Sequence, residues 1–202
     1  YICNFIMSKL ETNQVDPATG TTLTLGTSGD TVSIPSGVTI ANSGTATGFA
    51  GGFSNQLLHV RQEVSAGTDS QTLDNGGANT RVLDTVKTNE ITGASLSSNE
   101  ITLPAGTYFC LASAPAYLTS NHQAILYNTT DSSTTLVGTT EHAWNNGYTT
   151  THSFVRGRFT ISGTKGFTLR HYVGQTRNTS GGGTGFGNGF VDVYAEVMIW
   201  KI

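Results

Sequence analysis

The sequence predicts an all-β protein of two parts: an extended, fibrous β segment over residues 1–55 and a compact β-sandwich over residues 56–202. Three observations carry this expectation. Only 11% of the residues are charged, and Gly, Ser, Thr and Asn dominate. Solvation therefore comes from hydroxyls and amides, which suit strands and tight turns better than helices. Strand-length apolar patterns recur from Gln56 onward with turn residues between them. The closing run, Val191 to Ile202, alternates strictly.

The first part has no Lys or Arg between Thr12 and Val60. Its short alternating runs (Thr22 to Leu25, Thr31 to Ile34, Val38 to Ile40) are separated by Gly, Ser, Asp and Pro. Each run offers two apolar residues on one face. That is too little to offset a chain entropy of about 1–2 kcal/mol per residue in a lone subunit, so stacking on copies is expected. Thr39 to Gly52 reads as a flexible or extended neck. The leader before Met7, Tyr1 to Ile6, fits neither part.

In the second part the candidate strands are Leu58 to Val64, Thr80 to Lys87, Ile101 to Leu103, Gly106 to Ala114, Gln123 to Asn128, Thr134 to Glu141, Thr151 to Ile161, Phe167 to Val173 and Val191 to Ile202. Eight or nine strands fit a jelly roll. The first of them has mixed propensities, and one or two helical turns are the alternative. Ser162 to Gly166 predicts a hairpin loop joining Val155–Ile161 to Phe167–Val173, because glycine accepts positive φ.

The last strand is apolar on both faces. Val191, Val193, Ala195, Val197 and Ile199 can line a core, and the opposite set offers Tyr194, Met198, Trp200 and Ile202 where charges are expected towards water. That second face predicts a subunit interface.

Several function classes are disfavoured. A net charge of −3 gives no electrostatic reason to expect nucleic acid. No stretch of about 18 apolar residues is present to insert in a membrane. The two cysteines, Cys3 and Cys110, do not make a disulfide framework, and Cys110 reads as a small buried apolar residue. The five histidines lack metal-binding spacing, so no metal and no cofactor are expected, although an ion on an axis shared by copies remains open. Asp131, Glu141, Asp192 and Glu196 are isolated rather than paired as glycan hydrolysis needs, so no enzyme is expected. Asn178 to Phe190 lacks the ending of a phosphate loop and reads as a flexible connector that can also mould itself to a receptor.

Ile101 to Tyr108, Ser113 to Tyr117, Ala124 to Thr130, Ser153 to Ile161 and Val193 to Lys201 resemble C-terminal domains of bacteriophage tail fibres and related virion appendages. Thr21 to Gly26, Gly29 to Gly37 and Ala41 to Phe49 resemble segments that precede such domains in marine phage structural proteins. The resemblance implies a homotrimer with a tumour necrosis factor-like jelly roll and a preceding shaft or virion-attachment segment. The inner sheets would meet at the three-fold axis and cover Tyr194, Met198 and Trp200.

The candidate ligand site is the loop around His142, Trp144, Asn145, Asn146 and Tyr148, with Tyr117, Asn121 and His122 expected on a second loop of the same rim. Aromatic faces stack on sugar rings while amides and imidazoles exchange hydrogen bonds with hydroxyls. The functional expectation is a trimeric receptor-binding protein on the virion. Its knob would adhere to a host-surface glycan or protein, and its N-terminal segment would bind other virion proteins. The rival is a capsid-decorating or head-fibre protein with a structural role only.

Overall fold

The computed structural model describes Val15, Pro17, residues 19–39 and residues 56–202. The leader with Cys3, and the expected neck beyond Thr39, lie outside the described residues. The chain divides into two compact units, Tyr1–Ala50 and Gly51–Ile202.

In the first unit the described residues form tight turns and no strand. Asp30 N donates to Thr27 O at 3.0 Å, and the Asp30 carboxylate accepts from Thr27 N at 2.7 Å and Thr27 Oγ1 at 3.0 Å. The two bonds to the carboxylate, that from Thr27 N foremost, hold the Asp30 carboxyl below its ordinary value. A second turn closes with Val38 N donating to Pro35 O, where Gly37 adopts a φ of 85°. Leu23, Leu25, Val32, Ile34 and Val38 are all exposed.

The second unit contains β1 (Leu57–Val64), β2 (Asn79–Thr80), β3 (Thr85–Asn89), β4 (Ser95–Ser97), β5 (Glu100–Leu103), β6 (Gly106–Tyr117), β7 (Ser120–Asn128), β8 (Ser133–Ala143), β9 (Thr150–Ile161), β10 (Lys165–Val173) and β11 (Asp192–Lys201). One sheet has the order β3-β1-β11-β6-β9, the other β4-β5-β10-β7-β8 with β2 on β10. The interleaving of β1-β11-β6-β9 over β5-β10-β7-β8 is the wiring of a jelly roll. No helix occurs among the described residues.

Alternation explains the core. Leu58, Val60, Cys110, Ala112, Val155, Val197 and Ile199 of the first sheet face Ile101, Leu103, Ala124, Leu126, Phe167 and Leu169 of the second. Each large side chain buried in this way contributes about 1.5–3 kcal/mol. Phe159 links the sheets, with its ring 5.5 Å from Tyr108 and 5.3 Å from Phe167. Burial pushes the Cys110 thiol up to about 12, so it packs as an apolar residue.

Four expectations need correction. β9 and β10 are not a hairpin: β9 pairs with β6 in one sheet and β10 pairs with β5 and β7 in the other, so residues 162–164 cross between sheets. The run from Thr80 to Lys87 is not one strand. Arg81 N bonds Leu169 O in the second sheet and Asp84 N bonds Arg61 O in the first, so Val82 and Leu83 cross the sandwich.

The alternation of the last strand breaks as well. Arg61 pairs with Glu196 but Glu63 with Val193, a bulge that turns Tyr194 inward and leaves Val191 and Val193 exposed. Finally, the glycine run is not simply a flexible connector. Ser180 to Gly183 is buried, and a Cβ on Gly182 or Gly183 would lie 2.5 Å from Ser70 Oγ or 2.4 Å from the Tyr194 ring, so this half is a packed plug.

Candidate binding site and assembly face

Two surfaces of the jelly roll bear on function. The first is the outward face of the five-stranded sheet. Register places Leu57 beside Trp200 and Trp200 beside Phe109, then His59 beside Met198 and Met198 beside Leu111. The Phe109 and Trp200 rings are 6.5 Å apart. A cleft of about 160 Å3 opens among Leu111, Ser113, Phe154, Arg156, Glu196 and Met198. Arg156 lies 4.7 Å over the Phe154 ring.

Charges gather along β1 beside this apolar band. His59 Nε2 meets Glu196 Oε1 at 2.7 Å. Glu63 joins Arg61, whose Nε donates at 2.6 Å, and Lys87 at 3.0 Å. Lys87 first and Arg61 second hold the Glu63 carboxyl below its ordinary range.

Met198 and Trp200 are half-buried on this face, and Ile202 is exposed at its end. Tyr194 is not on it. The bulge carries its ring against Gly183, and its hydroxyl donates to Thr68 O at 2.7 Å. Burial first, then the Asp192 and Asp69 carboxylates, push that phenol up to about 12.

The second surface is the outward face of β7, β8 and β10 at the end that carries the connection between β8 and β9. His142 is exposed at the end of β8, not in the loop, and its ring is 5.8 Å from Trp144. Trp144 is 57% and Tyr148 98% exposed. Asn145 Nδ2 donates to Gln175 Oε1 at 2.5 Å, and Asn146 is exposed. Asn121 is exposed and sits opposite His142 in the register.

Asn121 opens onto a shallow cleft of about 270 Å3 shared with Gln123, Thr140, Tyr172 and Gly174. Tyr172 is 45% exposed, and it was not among the residues expected from sequence. The signal was there: Phe167, Leu169, His171 and Val173 point inward, which sends Thr168, Arg170 and Tyr172 outward.

Tyr117 and His122 are not on a rim. β6 runs on to Tyr117, which is buried below the Arg177 guanidinium. His122 is 3% exposed and points between the sheets. It belongs to a buried polar chain that sequence did not signal. Arg81, fully buried, donates through Nη1 to Pro115 O at 2.7 Å and through Nη2 to Gly182 O at 3.0 Å. His171 Nδ1 lies 3.3 Å from Arg81 Nη1, His171 Nε2 lies 2.9 Å from His122 Nδ1, and His122 Nε2 lies 2.7 Å from Thr151 Oγ1.

Burial lowers the Arg81 guanidinium to about 9, so it remains charged at neutral pH. Burial also brings His122 down to about 4, with Glu141 opposing and Arg81, His152 and His142 adding. His171 is held well below its ordinary value by burial, then by Arg81 and His122. Among the described residues, no group of three His, Cys, Asp or Glu side chains is placed to hold a metal ion.

No protein-family profile matches the chain, and no curated protein matches it. Among solved structures, murine APRIL at pH 5.0 is similar with a TM-score of 0.48 and 8% identity, over 73% of this chain and 98% of that one. The globular domain of zebrafish complement 1qA protein is similar with a TM-score of 0.46 and 10% identity, over 73% of this chain and 98% of that one. At these scores neither likeness says what this chain does, and the jelly-roll assignment rests on its own strand order.

Proposed function

We propose that this chain is a non-enzymatic virion appendage protein of a phage, a homotrimer whose jelly-roll knob adheres to the host surface while residues 1–55 bind other virion proteins. The observation that carries this reading is the outward face of the five-stranded sheet. Leu57, Phe109, Leu111, Phe154, Met198 and Trp200 share that face, and no other described strand of the second unit lies over it. Apolar patches of this kind mark contact surfaces, and a second copy supplies the matching chemistry in a closed ring. Multivalence follows, since three weak sites on one knob gain avidity from effective concentration.

A purely structural role, in which the protein decorates a capsid or head, is favoured by one observation. The exposed aliphatic side chains from Leu23 to Val38 suit a segment laid against another protein. Light scattering during size-exclusion chromatography of the full chain tests the assembly. A mass three times the 21.2 kDa of one chain supports the appendage reading, and a monomer at micromolar concentration overturns it. Binding of the trimer to host cells then separates adhesion from decoration.

A further inference from the structure

We infer that the outward face of β7, β8 and β10 is a trough for an oligosaccharide that carries a carboxylate. This deepens the adhesive reading and rests on it. The trough combines the exposed Tyr172 ring, which lines the cleft, and the exposed Trp144 ring, which stands 5.8 Å from His142 at its end, with polar side chains. The Asn121 side-chain amide has no protein partner among the described residues, and Gln123 uses only its Nε2, donating to Gly138 O at 2.9 Å. Thr140 and His142 add a hydroxyl and an imidazole along the β8 side. Flat apolar rings beside amides and hydroxyls are the chemistry that recognises a pyranose, whose ring faces are apolar and whose edges are hydroxyls.

The charge comes from Arg170, whose Cα lies about 7 Å before that of Tyr172 on the same face and whose guanidinium leans onward over Tyr127, the partner of Thr168, so the charge stands at the end of the trough away from Asn121. Its guanidinium carbon lies 3.4 Å from the centre of the Tyr127 ring. That stacking leaves the planar donor fork free at its edge, and no carboxylate pairs with it among the described residues. Glu100, on the neighbouring β5, instead accepts from Thr129 Oγ1 at 2.7 Å. A guanidinium held in this way is set to take a carboxylate with two parallel hydrogen bonds. One cation on a face of a chain with net charge −3 is too little for a nucleic acid, whose binding is dominated by several phosphate contacts.

The test uses the full chain against immobilised polygalacturonate, alginate and a sialylated oligosaccharide, with dextran and mannan as neutral probes. Binding to at least one acidic probe is expected. Tyr172→Ala and Arg170→Gln should each weaken it by about tenfold or more, and added salt should weaken the wild type more than R170Q. Arg170→Lys, which keeps charge without the fork, should fall between them. Unchanged thermal midpoints in these variants exclude misfolding, and both side chains face outward.

Equal binding of acidic and neutral probes, or acidic binding indifferent to both substitutions, overturns the assignment. So does a failure to bind any probe. Light scattering on the same samples separates the two readings. A trimer that binds no probe sinks the trough alone, and a monomer that binds sinks the appendage and leaves the trough standing.

Discussion

Arg81 Nη1 and His171 Nδ1 face each other at 3.3 Å in the interior, and the pair fixes the protonation of everything beyond it. A guanidinium has donors only, so His171 Nδ1 accepts and its proton sits on Nε2. That proton is donated to His122 Nδ1, which puts the His122 proton on Nε2, facing Thr151 Oγ1. Both imidazoles are therefore neutral Nε2–H tautomers pointing away from the buried charge. Nitrogen-15 NMR of the two rings should show an unprotonated Nδ1 in each at neutral pH. A protonated Nδ1 in either ring would mean that the chain runs the other way.

The same chain makes stability depend on pH. In the unfolded state both histidines take up a proton near pH 6.5. In the folded state His122 does so only near 4. Between these values the unfolded chain binds more protons, so stability is complete above about pH 6.5 and falls as the pH drops towards 4. The thermal midpoint should decrease between about pH 7.5 and 5, and His122→Gln should flatten that decrease. His152, which burial and then Arg81 also hold below its ordinary value, adds to the decrease in the same window, whereas Glu63, whose carboxyl sits below its ordinary 4.5, acts only at lower pH. A midpoint flat across this range in the wild type would show that the folded histidines titrate normally.

The packed half of the glycine run should be intolerant where the exposed half is not. Gly183 has a φ of 132°, and a Cβ there would lie 2.4 Å from the Tyr194 ring. Gly183→Ala should cost about 3 kcal/mol, from overpacking plus backbone strain. Gly189 has a φ of 90° but nothing within 4 Å. Gly189→Ala should cost about 1 kcal/mol, from the backbone alone. Urea unfolding distinguishes them, and equal costs would contradict a plug.

The contrast between these glycines shows what sequence can and cannot carry here. Alternation made β1, β7, β9, β10 and the inward set Ala195, Val197 and Ile199 legible, because a half-buried strand writes its period into adjacent residues. Which strand lies beside which is not written locally. Residues 162–164 carry turn chemistry, yet the chain there passes from the β6 side to the β5 and β7 side. The burial of Ser180 to Gly183 depends on Ser70, Leu73 and Arg81, about 100 residues away in the chain. Tyr117 and His122 were misplaced for the same reason. The ends of β6 and β7 are covered by the clasp between Arg81, Pro115 and Gly182, and nothing near either residue announces it. The exposure of Trp144, Asn145 and Asn146 was legible as turn chemistry, whereas the strand positions of Asn121 and His142 needed the pairing of β7 with β8 and Tyr172 needed the phase of β10.

The assembly face has a sharper test than mass alone. Met198 lies on the outward side of β11 between His59 and Leu111, half-buried in the single chain. In an isolated chain Met198→Glu leaves its carboxylate able to reach water, and the fold should survive with a native far-ultraviolet spectrum. In an assembly that covers this face, the charge is desolvated beside Leu111 and Trp200. That costs several kcal/mol at each copy of the contact. M198E should therefore shift the light-scattering mass from the assembly to the 21.2 kDa chain. Tyr148→Ser, at a residue 98% exposed beyond β8, should leave the mass unchanged. A trimer that persists in M198E would place the contact elsewhere. The five-stranded sheet would then have its apolar face left to another partner, and the case for assembly through β11 would fail.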